Sequence, residues 1–373
     1  MNTRPMNIVL LGLSITSSWG NGHATTYRAL TRALARRGHR LLFLERDVPW
    51  YAGQRDLANP DYCPTLLYDS LDELETAHRN RVAEADLVIV GSYVPEGAAV
   101  GEWVCDTAGG VTAFYDIDTS ITVQGLANGS CEYLTPELIR RYHLLLSFAG
   151  GPLLQYLEED FGAAMARPLY CSVDSDMYYP AATTPASDSE FDLGYMGTYS
   201  SDRQPKLDRL LIRAAREWQD GSFIVAGPMY PDTISWPVNT ARHEHVAPDA
   251  HRDFYNAQRY TLNPTRADMV AVGWSPSVRL FEAAACGTPV ISDYWEGLES
   301  FFKAGVEILI AEDTEAVLKV LHEIPEAGRR RIGAAARERV LGRHTAAHRA
   351  LELEQYFLEC LRRNARRSIR SVS

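Results

Sequence analysis

The densest chemistry in this sequence lies in Gly273–Ile291, GWSPSVRLFEAAACGTPVI. Ser275 or Ser277 can cap the helix predicted over Ser277–Cys286, and the free N–H groups at that helix start suit a diphosphate. Arg279 and Glu282 stand three apart and share a helix face. Arg279 can neutralise a diphosphate leaving group, while Glu282 can accept hydrogen bonds from two ribose hydroxyls. The other role for this pair is an exposed salt bridge. Three upstream turns are polar in the same way. Gly197-Thr198-Tyr199-Ser200-Ser201-Asp202-Arg203 offers a glycine, hydroxyls, exposed backbone N–H groups and a guanidinium to a phosphate. Gly227-Pro228 can present backbone groups to a nucleobase edge. Asn263-Pro264-Thr265-Arg266 is polar and basic, and Asn263 equally suits a buried structural role.

Two groups nearer the N-terminus could move protons. His23 closes the glycine-containing stretch Ser14–His23 and begins a predicted helix, where the helix N-terminus lowers a histidine pKa and favours the basic form. It can act as a general base on a hydroxyl, or it can cap or pack. Asp116-Ile117-Asp118-Thr119 follows a predicted strand. Asp118 is the preferred acid/base candidate; the rival roles are orienting a hydroxyl and capping a helix. Asp-x-Asp is also a metal-holding pattern in another fold, but here it lacks that setting, so no metal is expected.

These residues need elements to hold them. In the first half, Asn7–Leu11, Leu41–Glu45, Asp86–Gly91, Val111–Tyr115 and His143–Phe148 read as strands, and Leu169–Cys171 could close the set. A helix is expected over Ala24–Arg37, stopped by Gly38. Runs that are apolar throughout and separated by helices imply a parallel sheet covered on both faces. The stretch 173–190 carries Pro180, Pro185 and small residues and reads as a linker. Then the pattern restarts. Strands are expected at Asp192–Gly197, Ser222–Gly227, Arg259–Asn263, Pro289–Ser292 and Val306–Ile310, with a helix around Leu207–Trp218. The predicted organisation is an α/β chain with a Rossmann-like domain over 1–172, the linker, a second over 191–345, and a helix with an arginine-rich tail over 346–373. Two such sheets facing across a cleft would shield an activated substrate from water.

Composition bounds the alternatives. The chain has 373 residues, 46% apolar and 23% charged, enough for two buried cores, and its net charge of -11 argues against a nucleic-acid partner. The six cysteines are scattered with no Cys-x-x-Cys pair, so free thiols, no structural zinc and a cytoplasmic location are expected. No apolar run approaches the ~18 residues of a membrane span. Arg4 and Ile8–Leu11 imitate a short signal peptide but run into a helical pattern without a cleavage-like site, so they read as the first strand.

The sequence resembles the GT-B glycosyltransferases, and within them the CgeB-like spore-maturation group. The carrying segments are Leu193–Arg203 (LGYMGTYSSDR), Phe223–Pro228 (FIVAGP), Thr261–Met269 (TLNPTRADM), Gly273–Asp293, Phe114–Thr122 (FYDIDTSIT) and Leu144–Gly151 (LLLSFAGG). The resemblance implies a nucleotide-sugar donor, UDP or dTDP, with Glu282 on the ribose and Ser275, Pro276, Ser277 and Arg279 facing the diphosphate. It implies a transfer to a carbohydrate, protein or small-molecule acceptor approached by the Ser14–His23 loop, with no cofactor. One departure stands out: Trp274 occupies the place, eight before Glu282, where many retaining members carry a second glutamate. A nucleotide-sugar epimerase of the same shape and a noncatalytic binding protein are the competing expectations. A dinucleotide oxidoreductase is disfavoured, because no Gly-x-Gly-x-x-Gly follows the first strand.

Overall fold

The computed structural model describes residues 4–181 and 189–372, the side chains after 365 excepted. Ala182–Asp188 of the expected linker, and the side chains of Arg366, Arg367 and Arg370, lie outside the described residues. The chain divides into two compact units: residues up to Tyr170 together with those from Ala346 onward, and Cys171–Thr345.

The first unit holds seven parallel strands: β1 (Asn7–Gly12), β2 (Arg40–Arg46), β3 (Thr65–Tyr68), β4 (Leu87–Gly91), β5 (Val111–Asp116), β6 (Leu144–Ser147) and β7 (Ala166–Pro168). Their order is β3-β2-β1-β4-β5-β6-β7. The order reverses between β1 and β4, which pair in register with Ile8 opposite Leu87. Ligands of such sheets sit beyond the strands' carboxyl ends at that reversal. The central strands are buried along nearly their whole length, which is why they read as unbroken apolar runs. Closure differs from the expected Leu169–Cys171. β7 ends at Pro168, a residue that suits only a sheet edge.

The second unit repeats the winding with β8 (Phe191–Met196), β9 (Phe223–Ala226), β10 (Thr240–His243), β11 (Gln258–Asn263), β12 (Val290–Ser292) and β13 (Leu309–Ile310). Their order is β10-β9-β8-β11-β12-β13, all parallel, so the reversal falls between β8 and β11. The strand expected at Val306–Ile310 shrinks to β13. Val306, Glu307 and Ile308 are drawn into a turn by N–H bonds to the Lys303 carbonyl. The helix expected around Leu207–Trp218 starts earlier, at Gln204, and contains a π turn over Asp208–Ile212.

The C-terminal helix Ala346–Val372 belongs to the first unit. Ala346, Ala350, Leu353, Phe357 and Cys360 alternate three and four apart and all enter its core. Glu354 on the same face is gripped by Arg37 and by His39, the latter at 2.8 Å. In the tail, Arg363 pairs with Glu359 at 3.0 Å.

Candidate functional site

In the second unit, the predicted residues gather around the β8/β11 reversal. Arg279 leaves the first turn of helix Val278–Ala285 and is buried, 8% exposed. It is not in a salt bridge with Glu282. Its Nε donates to the Met196 carbonyl at 2.7 Å and its Nη1 to Asn263 Oδ1 at 2.8 Å, so the end of β8 and the end of β11 both hold it. The guanidinium lies 4.7 Å from the centre of the Tyr195 ring. Gly197 gives it room: a Cβ there would stand 2.9 Å from Arg279 Nη2 and 2.4 Å from the Tyr195 hydroxyl. Arg203 reaches the same tyrosine, its Nη1 donating to that hydroxyl at 2.7 Å, while its Nε is buried without a partner. Tyr195, which the sequence reading left without a role, is thus the pivot of two cations.

Among the described residues, neither Arg203 nor Arg279 has a carboxylate within salt-bridge distance. The imbalance can be sized. Removing a charge from water without a counter-ion costs several kcal/mol. A cation–π contact returns only ~0.5–2 kcal/mol. An anion held between them would supply the missing counter-charge.

Asn263 is placed as an organiser rather than a ligand contact. Its Oδ1 accepts from Arg279 and from Ser277 Oγ at 2.6 Å, and its Nδ2 donates to Thr265 Oγ1 at 3.2 Å and Ser292 Oγ at 2.9 Å. That uses all its capacity. Ser277 occupies the N-cap position, yet its hydroxyl does not cap, because it is turned to Asn263. Ser275 and Pro276 are buried in the same loop, with the Pro276 carbonyl accepting from Cys171 Sγ at 3.2 Å. Arg266 is already paired, with Asp202 at 3.4 Å and Asp268 at 3.8 Å.

The expectation of exposed N–H groups along Gly197–Tyr199 needs correction. The Gly197 N–H donates to the Ala226 carbonyl and the Tyr199 N–H to the Pro228 carbonyl. Thr198 contributes its carbonyl to Arg203 at 3.3 Å. Gly227 lies so close that a Cβ would meet the Gly197 carbonyl oxygen at 2.1 Å, so only glycine fits there. Just beyond it, Tyr230, Trp236 and Arg242 line a half-open cavity of about 410 Å³.

Glu282 is buried, 3% exposed, and accepts from the Tyr255 hydroxyl at 2.9 Å. Burial and the nearby Glu282 charge push the Tyr255 and Tyr178 hydroxyls well above their ordinary range, so both remain donors. Tyr178 in turn meets His251 Nδ1 at 3.0 Å. This fixed, buried carboxylate is anchored from one side by residues that sequence spacing gave no means of pairing with it.

In the first unit, the candidates meet at the β1/β4 reversal and the end of β5. Glu45 on β2 is fully buried and organises the Ser14–His23 loop. It accepts from the Ser14 hydroxyl, the Ile15 and Thr16 N–H groups and the Thr16 hydroxyl, at 2.6 to 3.0 Å. Asn21 caps helix Gly22–Arg36, accepting from the His23 N–H at 3.0 Å. The His23 ring packs 5.5 Å from Tyr93, and its Nδ1 is buried with no partner. Burial pushes its imidazole down to about 4. Asp118 occupies an N-cap position without capping and accepts from the Tyr93 hydroxyl at 3.1 Å. Tyr93 has a positive φ of 61°, a strained setting that aims its ring between His23 and Asp118. Asp116, 5% exposed, accepts from the Thr122 hydroxyl at 2.8 Å, and burial pushes its carboxyl up to about 7. Among the described residues, no three His, Cys, Asp or Glu side chains converge as metal ligands.

Residues 203–355 match the model of a family described as glycosyl transferase-like. No curated protein matches the sequence. Among solved structures, HepE of Anabaena in complex with UDP and glucose superposes with a TM-score of 0.71 at 14% identity, over 95% of this chain and 100% of that one. Sucrose-phosphate synthase from Thermosynechococcus elongatus gives 0.70 at 15% identity, over 95% and 99%. An α-glucosyltransferase in complex with UDP-glucose and DNA containing an abasic site gives 0.69 at 13%, over 95% and 100%.

The chain has the GT-B fold. Its two Rossmann-like units are those of that architecture.

Proposed function

We propose that this GT-B protein is a hexosyltransferase that takes a sugar from a nucleoside-diphosphate donor bound in its second unit. The observation that carries the reading is the pair of guanidinium groups, Arg203 and Arg279, fixed at the β8/β11 reversal with no carboxylate in salt-bridge contact among the described residues. A diphosphate supplies that charge. Glu282 lies one helical turn beyond Arg279, three residues on, and its buried carboxylate suits the vicinal hydroxyls of a ribose. UDP is the nucleotide we favour over dTDP, since six of the similar structures carry UDP or UDP-glucose. The arginines provide at the leaving group the positive charge that a divalent ion provides in other transferases, so we read the reaction as metal-independent. Within the fold we read the chain as CgeB-like, on the resemblance of the segments quoted above.

In the first unit, Asp118 is the proposed base for an acceptor hydroxyl, with His23 beside it as a neutral neighbour. The acceptor is a carbohydrate, protein or small molecule. The six cysteines are free, and no described helix is long and apolar enough to cross a membrane. Free thiols fit the cytoplasm, where nucleotide sugars are at hand.

The test is a thermal-shift titration of the full chain with UDP and with dTDP, with and without EDTA. A ligand bound only to the native state raises Tm, by about 2.7 kcal/mol of stabilisation at a hundredfold excess over Kd. We expect UDP to raise Tm, EDTA to leave that rise unchanged, and Glu282→Ala to reduce it. A UDP response equal in wild type and Glu282→Ala would remove Glu282 from the donor site, and no response to either nucleotide would overturn the reading.

A further inference from the structure

Trp274 is held in a conformation that a bulky residue rarely adopts. Its φ is 41°, inside the left-handed region, where a side chain of this size is strained. The backbone is clamped there by a 2.6 Å bond from its N–H to the Glu296 carbonyl. The consequence is a particular placement of the indole. The face of its pyrrole ring lies on Gly297, where a Cβ would stand 2.4 Å from Cγ and 2.5 Å from Cδ1 and Cδ2. Any side chain at 297 would evict the ring. Trp274 nonetheless remains half-buried, so the indole is backed by glycine without being sealed.

The surroundings say what such a ring can do. Trp274 lies on the connection from β11 to helix Val278–Ala285, three residues before Ser277 and five before Arg279. Gly297 lies on the connection leaving β12, the strand paired beside β11. Both connections depart from carboxyl ends of parallel strands, the ligand side of this sheet. A tryptophan fixed at a cost, with one face supported and part of its surface reachable, is a stacking surface. The C–H face of a pyranose is apolar enough to bury against it. The indole offers no acceptor to the sugar's hydroxyls, so it selects by the shape of that face. Glu296 and Glu299, exposed on the same connection, set negative charge beside it.

We propose that Trp274 is the platform for the donor's sugar, and that this sugar is a neutral hexopyranose and not a uronic acid. The proposal rests on the nucleotide-sugar reading above and deepens it.

The experiment is calorimetric titration of the full chain with UDP, UDP-glucose, UDP-galactose and UDP-glucuronate, in wild type, Trp274→Gly and Trp274→Phe. Glycine accepts a positive φ freely, so Trp274→Gly removes the ring while keeping the loop. The expected result is a UDP Kd within about twofold of wild type in Trp274→Gly. Its Kd for the better-bound neutral UDP-hexose should be about tenfold weaker, equivalent to ~1.4 kcal/mol of stacking, with most of the loss recovered in Trp274→Phe. Wild type should bind UDP-glucuronate more weakly than that hexose donor. If Trp274→Gly changes UDP and UDP-hexose binding by the same factor, or if UDP-glucuronate binds best, the platform is overturned while the nucleotide site stands. If wild type binds no UDP at all, the nucleotide reading falls and the platform falls with it.

Discussion

The donor reading depends on residues whose charge is left unbalanced by their neighbours. Arg279 is the sharpest case, because its fork is used at both ends: Nε and Nη1 hold Met196 and Asn263, and Nη2 points past Gly197 without a bond among the described residues. Replacing it by alanine removes the positive charge and leaves Asn263 Oδ1 with Ser277 alone. We expect kcat for UDP release from the donor to fall about 10²–10³-fold, the usual loss for one electrostatic contact to a leaving group. Arg279→Lys should recover little of this, since an ammonium cannot span both acceptors and still reach the ligand. Near-wild-type turnover in the lysine variant would show that point charge alone suffices. In the first unit, Asp118→Asn should lower kcat by about 10²–10⁴-fold as expected for a general base. Tyr93→Phe, which removes one hydrogen bond to that carboxylate, should cost about tenfold. Equal losses in both variants would mean that Tyr93 itself meets the acceptor.

At the level of elements, the end of β5 carries a titration that can be read in stability. Burial raises the Asp116 carboxyl from 3.8 to about 7, so between those values the folded protein holds a proton that the unfolded chain has released. Stability therefore falls as pH rises from about 4 to 7, and the contribution is fully present only below that window. Asp116→Asn keeps the shape without the proton, so urea midpoints measured at pH 5 and pH 8 should differ less in the variant than in wild type. His23 acts in the opposite sense, since burial lowers it from 6.5 to about 4 and the fold loses stability as pH falls through that range. The comparison must therefore be made variant against wild type. These two groups also mark what sequence could tell. The central strands were legible, because burial on both faces leaves an unbroken apolar run in β1, β4 and β5. The edge strands β3 and β10 were not, since Leu66 and Leu67 are exposed and His243 ends in solvent, which erases that signature. Arg279 and Glu282 were visible from their spacing. Tyr195, Tyr255, Tyr178 and Glu45 were not, because each meets its partner across 8 to 104 positions of sequence that only strand order brings together.

At the scale of the whole molecule, the chain crosses back on itself: it leaves the first unit after Tyr170, builds the second from one continuous stretch, and returns at Ala346 to finish the first. The returning helix is a structural member of the first core. Leu353 and Phe357 are 0% and 5% exposed, and burying each contributes roughly 1.5–3 kcal/mol. Ala346, Ala350 and Cys360 add to that, and Glu354, 2% exposed, would leave Arg37 and the buried His39 without their partner. Those losses are on the order of the ~5–15 kcal/mol that holds a domain together. The second unit loses far less, because Arg203, Arg279, Glu282 and the whole β8–β13 sheet lie within Cys171–Thr345. A chain ended at Thr345 should accordingly melt in two steps. The first unit should unfold early, in a transition of its own that UDP leaves unmoved. A later transition from the second unit should still move upward with UDP, because the guanidinium groups that we propose grip the diphosphate are untouched. Differential scanning calorimetry of the two lengths, with and without UDP, reads both parts at once. A single cooperative transition in the truncated chain, responsive to UDP, would mean that the helix is dispensable to the first core. Two transitions with neither responsive would locate nucleotide binding outside the second unit alone.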